Sequence, residues 1–320
     1  MKKINILFFI LISFFSCKKD SKIEREIAHI PMDYTIERFD KVFGETTAEN
    51  LSETKKSFPF LFSEKYSDSF WIAKVNDTLQ QQLTQESARI FPELKKEEKE
   101  ITQLFQHLKY YFPEFKTPRV ITTTSSVDYK NKVIVTDTIV LISLDTYLGS
   151  DHEFYQGIQK YLRQTFIKDQ IVVDMATEYS EKYIYQQQVK TLLDEMIYYG
   201  KQLYFKDLVI PFKTDAEKIG YTQEQIAWAQ ANETEIWRYF VERELLYSTD
   251  SALPNRFINP APFSKFQLEE IDTESPGQLG RYMGWQIVKA YMARNNVPIK
   301  DMLQKEAKDI FNHSNYKPKK

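Results

Sequence analysis

The acidic pair Asp194-Glu195, followed by Tyr198 within LLDEMIYYGK (192–201), is where the sequence comes nearest to recognisable chemistry. The cadence is that of H-E-x-x-H. In that motif two histidines one helical turn apart hold zinc, and the glutamate between them acts as general base toward a metal-activated water. Here both histidine positions are replaced. Asp194 still offers an oxygen. Tyr198 is a poor ligand, because a phenol loses its proton only near pH ~10 unless perturbed. Glu195 keeps its capacity to accept a proton, with no activated water to serve. The histidines His29, His107, His152 and His313 are scattered without paired spacing, so they do not restore the set. On spacing alone a solvated acidic helix face accounts for the stretch. No catalytic residue, metal or other cofactor is expected.

A second cluster lies at Gly277, Gly280 and Gly284, three of the eight glycines in one short window. Glycine inside a helix costs ~1 kcal/mol relative to alanine, so two in one turn imply a close neighbour to the backbone. A packed helix is the simpler neighbour. The functional alternative has the start of this helix facing the same cleft as Asp194 and Tyr198, with Arg281 at its rim and backbone amides ready for a carboxylate.

These residues need elements to hold them. Leu192, Leu193, Met196, Ile197 and Leu203, with Val189 before them, fall on one stripe at helical spacing, and Gly200 lies in the same stripe. Asp194, Glu195 and Tyr198 fall on the opposite face, so a helix near 186–204 is expected to pack on a sheet through its apolar stripe and turn its acids to a cleft. The sheet is expected from VITTTSSV (120–127), KVIVT (132–136) and IVLISL (139–144), β-branched runs separated by polar turns. A further short strand is expected at YTIERF (34–39). Helical spacing marks 46–70 with a break near Pro59, then 70–88, 94–112, 154–166, 171–184, 224–246, and two last helices from about 278 and 299. Helices, a small sheet of about three strands, then helices again predict one α+β domain, mostly helical.

The N-terminus reads MKKINILFFILISFFSCKKD. Two lysines precede an apolar run too short for a spanning helix, which needs ~20 residues. Cys17 follows the small Ser16. The order is that of a secretory signal over 1–16, with Cys17 as the lipidated residue and 17–28 as a polar tether ahead of a domain over 29–320. Cys17 is the only cysteine, so no internal disulfide is available and a cleaved signal with an incidental thiol explains it less well. Loss of Lys2 and Lys3 with the signal moves the formal charge from −2 to −4, which is no footprint for nucleic acid. The basic end at Lys317, Lys319 and Lys320 reads as a solvated tail.

Several stretches resemble the gliding motility lipoprotein GldB family of Bacteroidota: YTIERFD (34–40), LISLDTYLG (141–149), LLDEMIYYGK (192–201), EIWRYFVERELLYSTD (235–250) and SPGQLGRYMGWQIVKAYM (275–292). The resemblance covers essentially the whole mature chain. That family is in turn similar to predicted zinc peptidases of gluzincin type, which implies a zincin-like fold. In those peptidases H-E-x-x-H stands where this chain has Asp194 to Tyr198. The resemblance implies that Glu195 matches the general base, that Asp194 and Tyr198 depart from the ligand histidines, and that Glu235 or Glu233 matches the third ligand. It also implies a non-catalytic envelope component needed for gliding and for the associated type 9 secretion, with other envelope proteins of those machines and the membrane as partners. Three classes of function stand open. They are a pseudo-peptidase that binds or scaffolds, a zinc hydrolase with atypical ligands, and a purely structural assembly factor. The outer membrane is the favoured location.

Overall fold

The β-branched runs form the sheet, and their alternation decides what covers it. The computed structural model describes residues 22–185 and 190–318; Cys17, the signal region and Val189 lie outside the described residues. Strands β1 (Ile36–Arg38), β2 (Arg119–Thr123), β3 (Val133–Val135) and β4 (Ile139–Ser143) make a mixed sheet in the order β1-β2-β4-β3. Pairing is parallel for β1 with β2 and for β2 with β4, and antiparallel for β3 with β4. On β2, Val120 joins the large core and the adjacent Ile121 joins a smaller one. Successive side chains of a strand point to opposite faces. Both faces of the sheet are therefore covered, which is the usual condition of parallel pairing. The expected strand at 34–39 thus becomes the fourth strand of the sheet.

The N-terminal helices are α1 (Lys22–Ala28), α2 (Phe39–Gly44), α3 (Leu51–Ser57), α4 (Asp68–Val75), α5 (Thr78–Ile90) and α6 (Lys95–Tyr111). The smaller core is built by α2, α3, α4 and the turn before α4, whereas α6 joins the larger one through Ile101, Leu104, Phe105 and Leu108. Phe39, Phe43, Phe58, Phe62 and Trp71 meet over Ile121. The single helix expected over 70–88 is two, because Asp77 caps a new one by accepting from Gln80 N. The C-terminal end of the expected tether is helix α1. Its Ile27 is buried, and the Gln106 amide of α6 donates to the Ala28 and Ile30 carbonyls.

The other face carries the larger helical body. After the sheet come α7 (Lys160–Arg163), α8 (Ile171–Tyr183), α9 (Leu192–Val209), α10 (Asp215–Ile219), α11 (Gln223–Ala231) and α12 (Glu233–Glu242). Then follow α13 (Leu253–Phe257), α14 (Glu269–Glu274), α15 (Leu279–Arg294), α16 (Ile299–Gln304) and α17 (Ala307–Ser314). The helix expected over 154–166 is mostly single turns, and the one over 224–246 breaks at Asn232. The result is an α+β fold, mostly helical, with a small sheet.

Leu192, Leu193, Met196 and Ile197 are buried and share one core with Val120, Val140 and Ile142 of the sheet. Helix α8 packs closely on β3 and on α9, with α15 crossing α9 closely. Polar groups on α8 therefore face α9. None of residues 192–209 is fully exposed.

Candidate functional site

The first turn of α9 has its donors and acceptors matched within the chain. Thr191 is the N-cap, and its Oγ accepts from Asp194 N at 3.2 Å. Asp194 Oδ2 answers by accepting from the N–H groups of Thr191 and Lys190 at 2.9 and 3.1 Å, and from the Thr191 hydroxyl at 2.9 Å. This is a capping box with aspartate at its third position. The next two amides, Leu192 N and Leu193 N, donate to the carbonyls of Ser248 and Leu246, at 3.1 and 2.8 Å. A helix start normally leaves such amides free for an anion. Here Leu246 and Ser248, in the loop after α12, close it.

Asp194 is half-buried, and its Oδ2 is engaged at the helix start. Glu195 and Tyr198 do lie near one another, half-buried. Burial raises the Glu195 carboxyl above its usual range, against the pull of Arg281. Burial also pushes the Tyr198 phenol up to about 12, helped by Glu181 of α8. A zinc ligand would need that phenol deprotonated, so the shift runs the wrong way.

The two candidate third ligands part company. Glu233 is buried and accepts from the Tyr282 hydroxyl at 2.8 Å and the Tyr316 hydroxyl at 2.7 Å. It ties α12 to α15 and to the C-terminal segment. Glu235 is exposed and pairs with Arg238 on its own helix. It lines a separate hollow of about 490 Å³ with Trp228, Tyr239 and Phe266. Among the described residues no group of three or more His, Cys, Asp or Glu is placed to hold a metal. Asp194, Tyr198, Glu233 and Glu235 do not fit a zinc ion.

Arg281 and Glu195 are brought together by the crossing of α9 and α15. Gly200 and Gly284 meet there. A Cβ on Gly284 would lie 1.7 Å from the Met196 carbonyl oxygen, and one on Gly200 would lie 2.4 Å from the Gly284 carbonyl. The helices touch backbone to backbone, which is the close neighbour expected at Gly284; at Gly280 the neighbours are Phe257 and Ile258. Tyr221 anchors the start of α15 from another side by donating to the Gly277 carbonyl. Arg281 is thereby carried inward. Its Nε donates to the Ile258 carbonyl at 2.7 Å, and its guanidinium lies 3.8 Å from the centre of the Tyr199 ring.

Arg281 and Tyr199 wall a cavity of about 250 Å³ that also touches Asp174, Thr177, Lys206 and Gln278. Lys206 is buried, and burial pushes its ammonium down to about 8, with Arg281, Lys132 and Lys218 repelling it and Asp174 opposing them. Asp174 is engaged by Lys132 at 2.5 Å and by the Tyr147 hydroxyl at 2.8 Å. Sequence reasoning missed Asp174 and Lys206. The weak signal for Lys206 was a lysine inside a helix that has no fully polar face. Asp174 needed the three-dimensional placement of α8 against α9.

Another stretch of the resemblance proves structural. Asp145 of LISLDTYLG is fully buried and accepts from the backbone amides of Ser125 and Val127, the latter at 2.7 Å. It holds a turn in which Ser126 and Val127 both adopt φ 58°.

A helical body on a small mixed sheet places the chain in the class of mostly helical α+β proteins. The family profile described as gliding motility protein GldB matches residues 20–318. The chain belongs to that family of gliding-motility lipoproteins, proteins of the cell envelope. No curated protein and no solved structure matches it. No helix among the described residues is long and apolar enough to cross a membrane.

Proposed function

We propose that this chain serves the gliding machinery as a non-catalytic, lipid-anchored component that works by binding or scaffolding other envelope proteins, including those of type 9 secretion. The observation that carries the reading is the capping box at the head of α9. The residue at the first ligand position, Asp194, accepts three hydrogen bonds from its own helix start. A carboxylate so engaged is a poor metal donor, and the phenol one turn later is held protonated. The anchor in this reading is Cys17, with the outer membrane as the favoured site.

The raised Glu195 carboxyl favours the alternative, a zinc hydrolase with atypical ligands, since a general base works best with its pKa near the working pH. Gliding assays separate the two. Cells carrying only Glu195→Gln should glide as wild type does, because the amide keeps the shape and loses only the base. Loss of gliding with normal protein levels would favour the hydrolase. In the same cells Cys17→Ala should move the protein out of the membrane fraction. Firm membrane retention of that variant would remove the anchor from the proposal.

A further inference from the structure

The cavity between α8, α9 and α15 holds more positive charge than its own acids balance. Arg281 uses only Nε on a protein acceptor, the Ile258 carbonyl. Its two terminal nitrogens have no protein acceptor, and no carboxylate pairs with it among the described residues. Arg281 is partly buried, largely desolvated, and lines the cavity. Tyr199 fixes the plane of the guanidinium from one face. Lys206 adds a buried cation in the wall, its ammonium donating to the Lys218 carbonyl at 2.8 Å. Of the acids nearby, Asp174 is already engaged by Lys132 and Tyr147, and Asp207 by Lys218 at 2.9 Å and by the Trp285 indole at 2.8 Å. Glu195 attracts Arg281 without forming an ion pair, and its own burial raises its carboxyl above the usual range.

A buried, unpaired cation costs several kcal/mol. Folds keep one where a ligand supplies the counter-charge. The guanidinium fork matches an oxyanion with two parallel hydrogen bonds. The head of α15 points the same way: Gln278 sits there in the left-handed region at φ 62°, lines the cavity, and begins a helix whose dipole favours negative charge. The remaining lining includes Tyr161, Gln164 and Thr177, hydroxyl and amide groups suited to a polar ligand. A volume of about 250 Å³ suits a small molecule or a single head group and is too small for a folded partner.

We propose that this cavity binds a small oxyanion, a carboxylate or phosphate group, with Arg281 as the principal contact. The inference goes beyond the non-catalytic reading and fails separately from it. Zinc found at Glu195 would leave anion binding untouched, and a cavity blind to anions would leave Glu195 as it is.

The test uses the full-length chain in nonionic detergent, with thermal melting and titration calorimetry. Inorganic phosphate, acetate and glucuronate are each compared with chloride at equal ionic strength. An oxyanion should raise the melting temperature where chloride does not. A response to phosphate alone assigns a phosphoryl ligand, and a response to acetate or glucuronate assigns a carboxylate; both support the site. Arg281→Gln should weaken binding by more than about tenfold. If that variant does not fold, Thr177→Glu supplies a carboxylate within the cavity and should give a folded protein indifferent to added anions. Equal responses to chloride and all three oxyanions, or wild-type binding by a folded Arg281→Gln or Thr177→Glu protein, would overturn the proposal.

Discussion

Two regions of the same helix treat charge in opposite ways. In the first turn of α9, Asp194 answers three donors at the helix start, and the amides of Leu192 and Leu193 are met by the loop after α12. One to three turns later the helix turns Tyr199 and Lys206 toward a cavity where cations outnumber free acids. The peptidase-like letters fall in the closed region. The unbalanced charge falls in the open one. Resemblance to a catalytic motif and capacity to bind are therefore separate properties here, carried by different turns.

The contrast depends on how closely α15 is held against α9, so it breaks first at the glycine crossing. Gly284→Val should unfold the domain. Its side chain would have to occupy space held by the Met196 backbone, which cannot rotate aside, and the cost should exceed the ~1–3 kcal/mol usual for overpacking. Circular dichroism of the purified variant checks this. A cooperative transition near the wild-type temperature would mean that the helices do not touch there. Leu193→Asp, a buried charge on the same helix, should be comparably damaging.

A smaller effect is expected in the open region. The folded Lys206 ammonium is pushed down to about 8 from an unfolded value of 10.5. The unfolded chain then binds more protons between those values, so the penalty is complete below pH 8 and disappears as pH rises toward 10.5. Lys206→Met should be more stable than wild type at pH 7 by on the order of 1–2 kcal/mol. That figure allows for the lost hydrogen bond to the Lys218 carbonyl. The advantage should shrink above pH 8. Denaturant melts at pH 7 and pH 10, in chloride buffers, read the difference directly. A variant less stable at both values would show that the ammonium is well paired.

The mildest change lies in the closed region. Asp194→Ala removes a capping partner and should cost about 1 kcal/mol, with Asp194→Asn costing less. The same melts serve. A loss beyond about 3 kcal/mol would mean that Asp194 holds more than the helix start.

The sequence made the sheet legible through its β-branched runs and made the apolar stripe of α9 legible through its spacing. Residues 34–39 read as a strand, but their partner did not, because parallel pairing across a long connection leaves no local trace. The two helix breaks, at Asn76-Asp77 and at Asn232, were carried by short polar caps inside otherwise helical spacing. In the site, Gly284 announced a close contact, and Gly200 in the stripe of α9 supplied the other side of it. Asp194 misled. An aspartate three residues after Thr191 is a capping signal, and the peptidase cadence drew the reading toward ligands instead. Arg281 reads from the sequence as a rim residue; only the packing of α15 on α9 turns it into the cavity wall.

The central claim is that the D-E-x-x-Y turn holds a helix start and no metal. The direct measurement is zinc content, by mass spectrometry, of the full-length chain purified without chelators, beside a variant carrying Asp194→His and Tyr198→His. The account predicts essentially no zinc in the wild-type protein. The double variant should also stay largely empty, because Glu233 is held by two tyrosines and Glu235 faces solvent, so neither is free to complete the set. Stoichiometric zinc in the wild-type protein, lost on Glu195→Gln, would contradict it.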